Sequence, residues 1–168
     1  TTRLAEVATG AGNSTTFNDS EGVLMAEISA LADNGTNRYI SLLGSGSLSN
    51  RINLFYDTNN VLRGFVSGQS SSMSTSVNIN DNNKVLIKYK SGDIALWLNG
   101  FEVVTATDVI SLSGLNSLGF ELNGNLNWYG NVKQIQYFDS VLTDTQLEQL
   151  TSWQSFSDMA EGQLYTIE

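Results

Sequence analysis

Residues 84–100 read KVLIKYKSGDIALWLNG, and the hydrophobic pattern of this segment is the clearest indication of the fold class. Apolar side chains recur at every second position in two short runs, which is the pattern of β-strands with one buried face. Ser91-Gly92 separates the two runs. Asn99-Gly100 is typical of a two-residue type I′ hairpin turn, and a third run follows it at 101–105. Residues 84–105 therefore predict a three-stranded antiparallel meander.

Similar short runs occur along most of the chain, with turn residues in every gap. They lie at 23–31, 39–43, 51–56, 61–66, 84–89, 94–98, 101–105, 118–122 and 126–138. This spacing predicts an all-β fold, a two-sheet antiparallel β-sandwich. The Ser- and Gly-rich stretch 67–76 is interpreted as a mobile loop or a weak edge strand.

One short C-terminal helix is predicted after the last strand. Thr143 can cap its first turn, Gln146 can complete a capping box, and Leu142 can pack against Leu147 as a hydrophobic staple. We expect a single domain over residues 1–168, in which 153–168 form a tail that packs on the domain or leads to a neighbour.

Composition excludes several classes of function. The 168 residues carry 8 basic and 17 acidic side chains, a formal charge of −9, and include no His and no Cys. This excludes triad hydrolases, thiol nucleophiles, disulfides and zinc enzymes. An acidic chain repels phosphate backbones, so we expect no nucleic-acid partner. The apolar runs are far shorter than the roughly 20 residues of a spanning helix, so we expect no membrane insertion.

Three stretches carry a resemblance to a known family. Residues 84–100 and 131–151, NVKQIQYFDSVLTDTQLEQLT, resemble the strand pair and the closing strand with its capped helix in concanavalin A-like lectin/glucanase and laminin-G-like domains. Residues 1–29 resemble the opening of such domains in bacteriophage structural and tail-associated proteins. The resemblance implies a jelly roll of two curved sheets that commonly binds glycans on its concave face or rim. Fold alone does not settle function.

The acidic residues do not match the catalytic pattern of the family. Glycosidases need two carboxyl groups about 5 to 9.5 Å apart. Glu21 and Glu27 share a strand face but stand roughly 20 Å apart at about 3.3 Å per residue. Glu121 could meet Glu27 only if their strands pair. We therefore expect no enzymatic activity and no catalytic residues.

A carbohydrate site requires an aromatic platform bordered by hydrogen-bonding side chains. Along 94–99 the apolar residues take one face, which puts Trp97 and Asn99 on the other. Trp97 is then either an exposed stacking platform or a side chain packed under a loop or the tail. We weigh the two interpretations equally.

Basic side chains could border that platform. Alternation along 51–56, 61–66 and 84–90 turns Arg51, Asn53, Arg63 and Lys88 away from the core. If these strands share one sheet with Trp97, the four residues form a lane suited to an anionic polysaccharide, such as a uronate or a sulfated glycan. The alternative is that they serve solubility and protect strand edges.

Calcium is common in domains of this family. Oxygen ligands are available at 18–21 and at Asp139, but no calcium-loop spacing is present and such clusters also form plain turns. We assign no metal ligand and expect no required cofactor, with Ca²⁺ left open as an optional ion.

The sequence thus predicts a non-catalytic carbohydrate-binding module of a virion or tail-associated protein. Its expected partners are a polysaccharide and other virion subunits or modules of the same polypeptide, and its expected location is on a virion or extracellular. A structural, protein-interaction domain of a virion is the first alternative. A glycoside hydrolase or polysaccharide lyase is the second.

Overall fold

Two five-stranded antiparallel sheets form a sandwich. The computed structural model describes residues 11–44, 47–122 and 124–152. The strands are β1 (Glu21–Ala30), β2 (Arg38–Gly44), β3 (Ser47–Tyr56), β4 (Val61–Val66), β5 (Met73–Ser76), β6 (Asn83–Lys90), β7 (Ile94–Leu98), β8 (Phe101–Ala106), β9 (Leu115–Gly119) and β10 (Gly130–Phe138). Sheet A has the order β10-β1-β6-β7-β8 and sheet B the order β5-β4-β3-β2-β9. The predicted all-β sandwich is confirmed.

The core fills the space between the sheets. Alternate residues of each strand face inward, for example Leu24 on β1, Leu54 on β3 and Ile87 on β6, all fully buried. The sheets approach closely at Gly64, where an added Cβ would lie 3.1 Å from the Cδ1 of Ile87 and 3.2 Å from the Cδ1 of Leu96. A side chain at position 64 would therefore require Ile87 and Leu96 to shift by a few tenths of an ångström.

The predicted meander is confirmed as β6, β7 and β8. Asn99 and Gly100 adopt φ angles of 49° and 90°, the two left-handed conformations that a type I′ turn requires,. The Asn99 side chain reinforces the turn, because its Oδ1 accepts a hydrogen bond from the backbone N–H of Lys84 at 2.9 Å.

Several predicted boundaries changed, and one of them is the start of β3, which lies at Ser47 and not at 51. The stretch 67–76 contains an edge strand, β5, so the second interpretation of that stretch is the correct one. β9 begins and ends three residues before the predicted run. β10 begins at Gly130 and not at 126, because residues 124–129 form a turn and loop in which Trp128 packs on the core and Tyr129 is exposed.

One helix, α1 (Asp144–Thr151), follows β10. Its predicted capping box is confirmed, since the Thr143 side chain accepts from the N–H of Gln146 and the Gln146 side chain accepts from the N–H of Thr143. α1 packs on the outer face of sheet A, against β6, β7 and β8. Among the described residues no helix has the length and apolarity to cross a bilayer. The predicted tail, 153–168, lies outside the described residues.

Candidate functional site

The structure divides the predicted site residues between the two sheets. Arg51 and Asn53 lie on β3 and Arg63 on β4, in sheet B, whereas Lys88 and Trp97 lie on β6 and β7, in sheet A. A single lane of these residues is therefore wrong. Alternation correctly predicted which way each side chain points relative to the core, but it carries no information on which strands share a sheet.

Trp97 is buried, at 6% exposure, so an exposed platform at this position is wrong in the structure. It faces away from the inter-sheet core as predicted, but α1 covers it. Trp97 packs with Leu86 and Met25 of sheet A and with Leu147 of the helix. The alternative interpretation was right that Trp97 is covered, but the cover is helix α1 and not the predicted loop or tail.

Lys88 and Asn99 hold neighbouring structure in place. Lys88 is 7% exposed, with its Nζ 2.7 Å from Asp93 Oδ1 and 3.9 Å from Asp144 Oδ1 at the start of α1. The Asn99 side chain is hydrogen-bonded on both sides within its turn, since its Oδ1 accepts from the Lys84 N–H and its Nδ2 donates to Asn83 Oδ1 at 3.0 Å. Neither residue lies beside Arg51, Asn53 or Arg63.

The other three predicted residues meet on the outer face of sheet B, on the side of the sandwich opposite to α1. Strand register places Phe55 between Tyr39 and Arg63, Asn53 between Ser41 and Phe65, and Arg51 beside Leu43. We call this surface the B face. It consists of eight side chains, namely Tyr39, Ser41, Leu43, Arg51, Asn53, Phe55, Arg63 and Phe65.

Aromatic rings occupy two places on the B face. The rings of Tyr39 and Phe55 stack with centroids 4.4 Å apart and planes 8° apart. The Arg51 guanidinium lies over the Phe65 ring, 4.5 Å from its centroid. All four side chains are half-buried. Burial raises the pKa of the Tyr39 hydroxyl, so this group is a neutral donor at physiological pH,.

The two arginines of the B face differ in charge balance. Arg63 Nε donates to Asp57 Oδ2 at 2.5 Å. Burial opposes ionisation of Asp57, but hydrogen bonds from Arg63 and from the N–H groups of Val61 and Asn59 outweigh it and lower the pKa of Asp57. Asp57 is thus a stable anion that neutralises Arg63. Arg51, by contrast, has no described carboxylate within ion-pair distance.

The Glu27–Glu121 pair that a glycosidase site on these strands would need is not formed. Glu27 is on β1 of sheet A, and Glu121 follows β9 of sheet B, so their strands do not pair. Glu27 is bound instead by Lys133 Nζ at 2.9 Å and Gln134 Nε2 at 3.2 Å. Glu21 is bound by Lys90 Nζ at 2.8 Å.

The N-terminal loop, which carries the candidate calcium ligands at 18–21, lies against the end of the closing strand. Asn18 Nδ2 donates to the backbone oxygen of Asp139 at 2.7 Å. The Asp19 carboxylate, however, accepts the N–H groups of Gly114 and Leu115 at 2.7 and 2.9 Å. The described part of the chain holds no group of three or more acidic side chains able to bind a metal ion.

Sequence reasoning did not assign Tyr39, Ser41 or Asp57 to the site. Alternation along β2 could have found the first two, because Ile40 and Leu42 are buried in the core and therefore turn Tyr39 and Ser41 outward. Asp57 lies in the turn after β3, and its approach to Arg63 depends on the conformation of that turn. No periodic pattern signals such a contact.

No protein-family model matches the chain, and no curated protein is similar to it. Solved structures share its fold. The CBM40 domain of a Ruminococcus gnavus IT-sialidase superposes with a TM-score of 0.64 at 16% identity, over 90% of this chain and 98% of that one. That domain has also been solved bound to α2,3 sialyllactose.

Two further structures broaden the comparison. Domain 4 of AbnA, a GH43 extracellular arabinanase from Geobacillus stearothermophilus in complex with arabinotriose, has a TM-score of 0.63 at 14% identity, covering 90% of this chain and 82% of that one. A leech intramolecular trans-sialidase has a TM-score of 0.66 at 15% identity, covering 90% of this chain and 26% of that one. These likenesses show that the chain shares the two-sheet β-sandwich fold of these domains.

Proposed function

We propose that this chain is a non-catalytic carbohydrate-binding module whose ligand lies on the B face. The observation that carries the proposal is the grouping of the Tyr39–Phe55 ring stack, the Arg51–Phe65 pair and Arg63 on one sheet surface opposite to the helix. The shared fold with modules solved with sialyllactose and arabinotriose supports it.

The ring stack supplies apolar contact. The stacked rings of Tyr39 and Phe55 are half-buried, and their exposed parts offer an apolar surface to the C–H groups of a sugar,. The Tyr39 hydroxyl makes no hydrogen bond with a described residue and is the donor and acceptor for a sugar hydroxyl,. Arg63 Nη1, 3.3 Å from Ser72 Oγ, extends the polar border of the platform.

Arg51 gives the B face a preference for an acidic sugar. Its guanidinium is the cation of the face that no described carboxylate neutralises, and a guanidinium binds carboxylate or sulfate groups through paired N–H donors,. The chain carries a net charge of −9, which opposes long-range attraction of a polyanion,. The preference is therefore local, for one acidic group placed at Arg51.

Native affinity electrophoresis against neutral, uronate and sulfated polysaccharides tests the proposal, run with calcium and again with a chelator. Retardation by one class supports a carbohydrate-binding module and identifies its ligand chemistry. No retardation by any class, together with a stable oligomer in light scattering, would favour the structural, protein-interaction alternative. Release of reducing ends or unsaturated products would favour the enzymatic one.

The proposed setting is a virion, a tail-associated protein or the extracellular space. Its support is the resemblance of residues 1–29 to the opening of phage structural domains. Mass spectrometry of purified virions and of culture supernatant tests this part. Detection of the parent polypeptide in either fraction agrees with it, and detection in the cytosolic fraction alone contradicts it.

A further inference from the structure

Asn53 occupies an unusual position for an outward-facing polar residue. It lies at the centre of the B face, yet it is only 2% exposed, and Ser41 beside it on β2 is fully buried. A ligand on the B face would not reach an amide at this depth. Direct hydrogen bonding of a sugar to Asn53, as the sequence predicted, therefore does not fit the structure.

The Asn53 amide is occupied by neighbouring groups of the protein. In the orientation that satisfies those neighbours, Nδ2 donates to Ser41 Oγ and to the Ile52 backbone oxygen, both at 3.1 Å,. Its Oδ1 accepts from Arg51 Nε at 3.2 Å. Ser41, Asn53 and Arg51 thus form a continuous chain of hydrogen bonds across β2 and β3.

This chain fixes the Arg51 guanidinium together with two other contacts. Nη1 donates to the backbone oxygen of Leu48, and the planar group lies over the Phe65 ring. Nη2 makes no hydrogen bond with any described residue, so its N–H groups and the second N–H of Nη1 are the paired donors left for a ligand,. Three contacts on one guanidinium remove most of the rotational freedom that a ligand would otherwise have to restrict.

The acceptors on the two arginines of the B face differ in charge. Arg63 Nε is held by the carboxylate of Asp57, which cancels its charge, whereas Arg51 Nε is held by a neutral amide, which leaves its charge intact. An amide and a carboxylate have nearly the same shape. At this position they differ in charge and also in donors, because a carboxylate cannot donate the two hydrogen bonds that Nδ2 gives to Ser41 Oγ and the Ile52 backbone oxygen,.

We propose that Asn53 is a positioning residue that sets the charge preference of the site without touching the ligand. Held by Ser41, it orients Arg51 and leaves the guanidinium uncompensated. The ligand class is an oligosaccharide with a carboxylate or sulfate group that contacts Arg51. This inference rests on the proposed function of the B face.

The test compares matched charged and neutral probes in calorimetric titrations. The pairs are sialyllactose with lactose, trigalacturonate with its methyl ester, and a sulfated galactose disaccharide with the unsulfated sugar. Asn53→Asp places a carboxylate beside Arg51. We expect it to reduce the preference for the charged member about tenfold or more and to leave affinity for the neutral member within about twofold.

A double-mutant cycle separates positioning from general damage. In an Arg51→Ala background, Asn53→Asp should change the affinity for the charged probe by less than about twofold. The reason is that residue 53 acts on the ligand through the Arg51 guanidinium, which this background lacks. Ser41→Ala is the milder second variant, in case Asn53→Asp does not fold. It removes the acceptor that holds the Asn53 amide and should reduce the charge preference about threefold.

Two results would overturn the inference while leaving the proposed function standing. One is an Asn53→Asp protein that keeps its full preference for the charged probe. The other is an equal loss of affinity for charged and neutral probes, with effects that add to those of Arg51→Ala. A wild-type protein that binds none of the six probes, and no polysaccharide in electrophoresis, overturns the proposed function and this inference with it.

Discussion

Arg63 Nε and Asp57 Oδ2 are 2.5 Å apart on the B face, where the Asp57 side chain is 11% exposed and that of Arg63 is 34% exposed. The same carboxylate accepts the backbone N–H groups of Asn59 at 2.8 Å and Val61 at 3.1 Å. Asp57 therefore closes the turn between β3 and β4 and also orients an arginine of the proposed site.

Asp57→Asn should lower the free energy of unfolding by about 1–3 kcal/mol at neutral pH, because it weakens three hydrogen bonds to a charged group. The pKa of Asp57 is lowered by folding. The stabilisation from its charge is thus present above the unfolded-state pKa of about 3.9 and is lost as the pH falls through the folded-state pKa.

Urea unfolding at pH 7 and pH 3 measures this linkage. The difference in unfolding free energy between the wild type and Asp57→Asn should shrink at the lower pH. Glu102→Gln, at an exposed position on β8, is the control for loss of one negative charge. A difference that is the same at both pH values would show that the Asp57 charge does not stabilise the fold.

Trp97→Ala should lower the free energy of unfolding by about 3–5 kcal/mol, because it leaves a cavity between sheet A and α1. Leu147→Ala should cost about 2–5 kcal/mol for the same reason. Since both side chains belong to one cluster, the two effects should not add,. Denaturant unfolding of the two single variants and the double variant measures the coupling.

Trp97→Phe is the milder variant for binding experiments, and it should leave glycan affinity unchanged, since Trp97 is covered by α1 on the face opposite to the proposed site. A folded Trp97→Phe protein with at least tenfold weaker glycan binding would contradict the assignment to the B face.

Gly64→Ala should lower the free energy of unfolding by about 1–3 kcal/mol, because the new methyl group would meet Ile87 and Leu96 across the core,. Ser117→Ala on edge strand β9 is exposed, and its effect should stay within about 0.5 kcal/mol,. Thermal unfolding of the two variants checks the comparison. Equal melting temperatures would show that the sheets are not in close contact at Gly64.

Calcium should have no effect on stability, because the Asp19 and Glu21 carboxylates are already bound by protein donors. A bound ion would raise the melting temperature in proportion to its occupancy. We therefore expect the same melting temperature and the same electrophoretic retardation with millimolar calcium as with a chelator. A calcium-dependent increase in either would contradict this.

Sequence patterns predicted the elements of the fold better than the site. Period-two alternation gave most strands and the orientation of Trp97, and the Asn99-Gly100 turn and the Thr143 capping box were read from local chemistry. These features depend on residues close in sequence. Pairing of β1 with β6 and β10, and coverage of Trp97 by Leu147, depend on contacts between residues distant in the chain.

The prediction of the site was wrong for the same reason, because it depended on contacts that a local sequence pattern does not report. Arg51 and Lys88 share an outward orientation but sit on opposite sheets, and Asn53 points outward but is buried by its neighbours. Alternation reports the direction of a side chain and not what lies above it. Alternation does turn Tyr39 outward, but its stacking on Phe55 follows only from the register of β2 with β3.

Calorimetric titration of wild type, Phe55→Ala and Lys90→Ala tests the central claim most directly, with an oligosaccharide of the class that retards the wild type in electrophoresis. Phe55 belongs to the ring stack of the B face, whereas Lys90 is exposed on sheet A. Thermal unfolding confirms that each variant is folded. We predict at least about a tenfold loss of affinity for Phe55→Ala and a change within about twofold for Lys90→Ala. Wild-type affinity in folded Phe55→Ala would contradict carbohydrate binding on the B face.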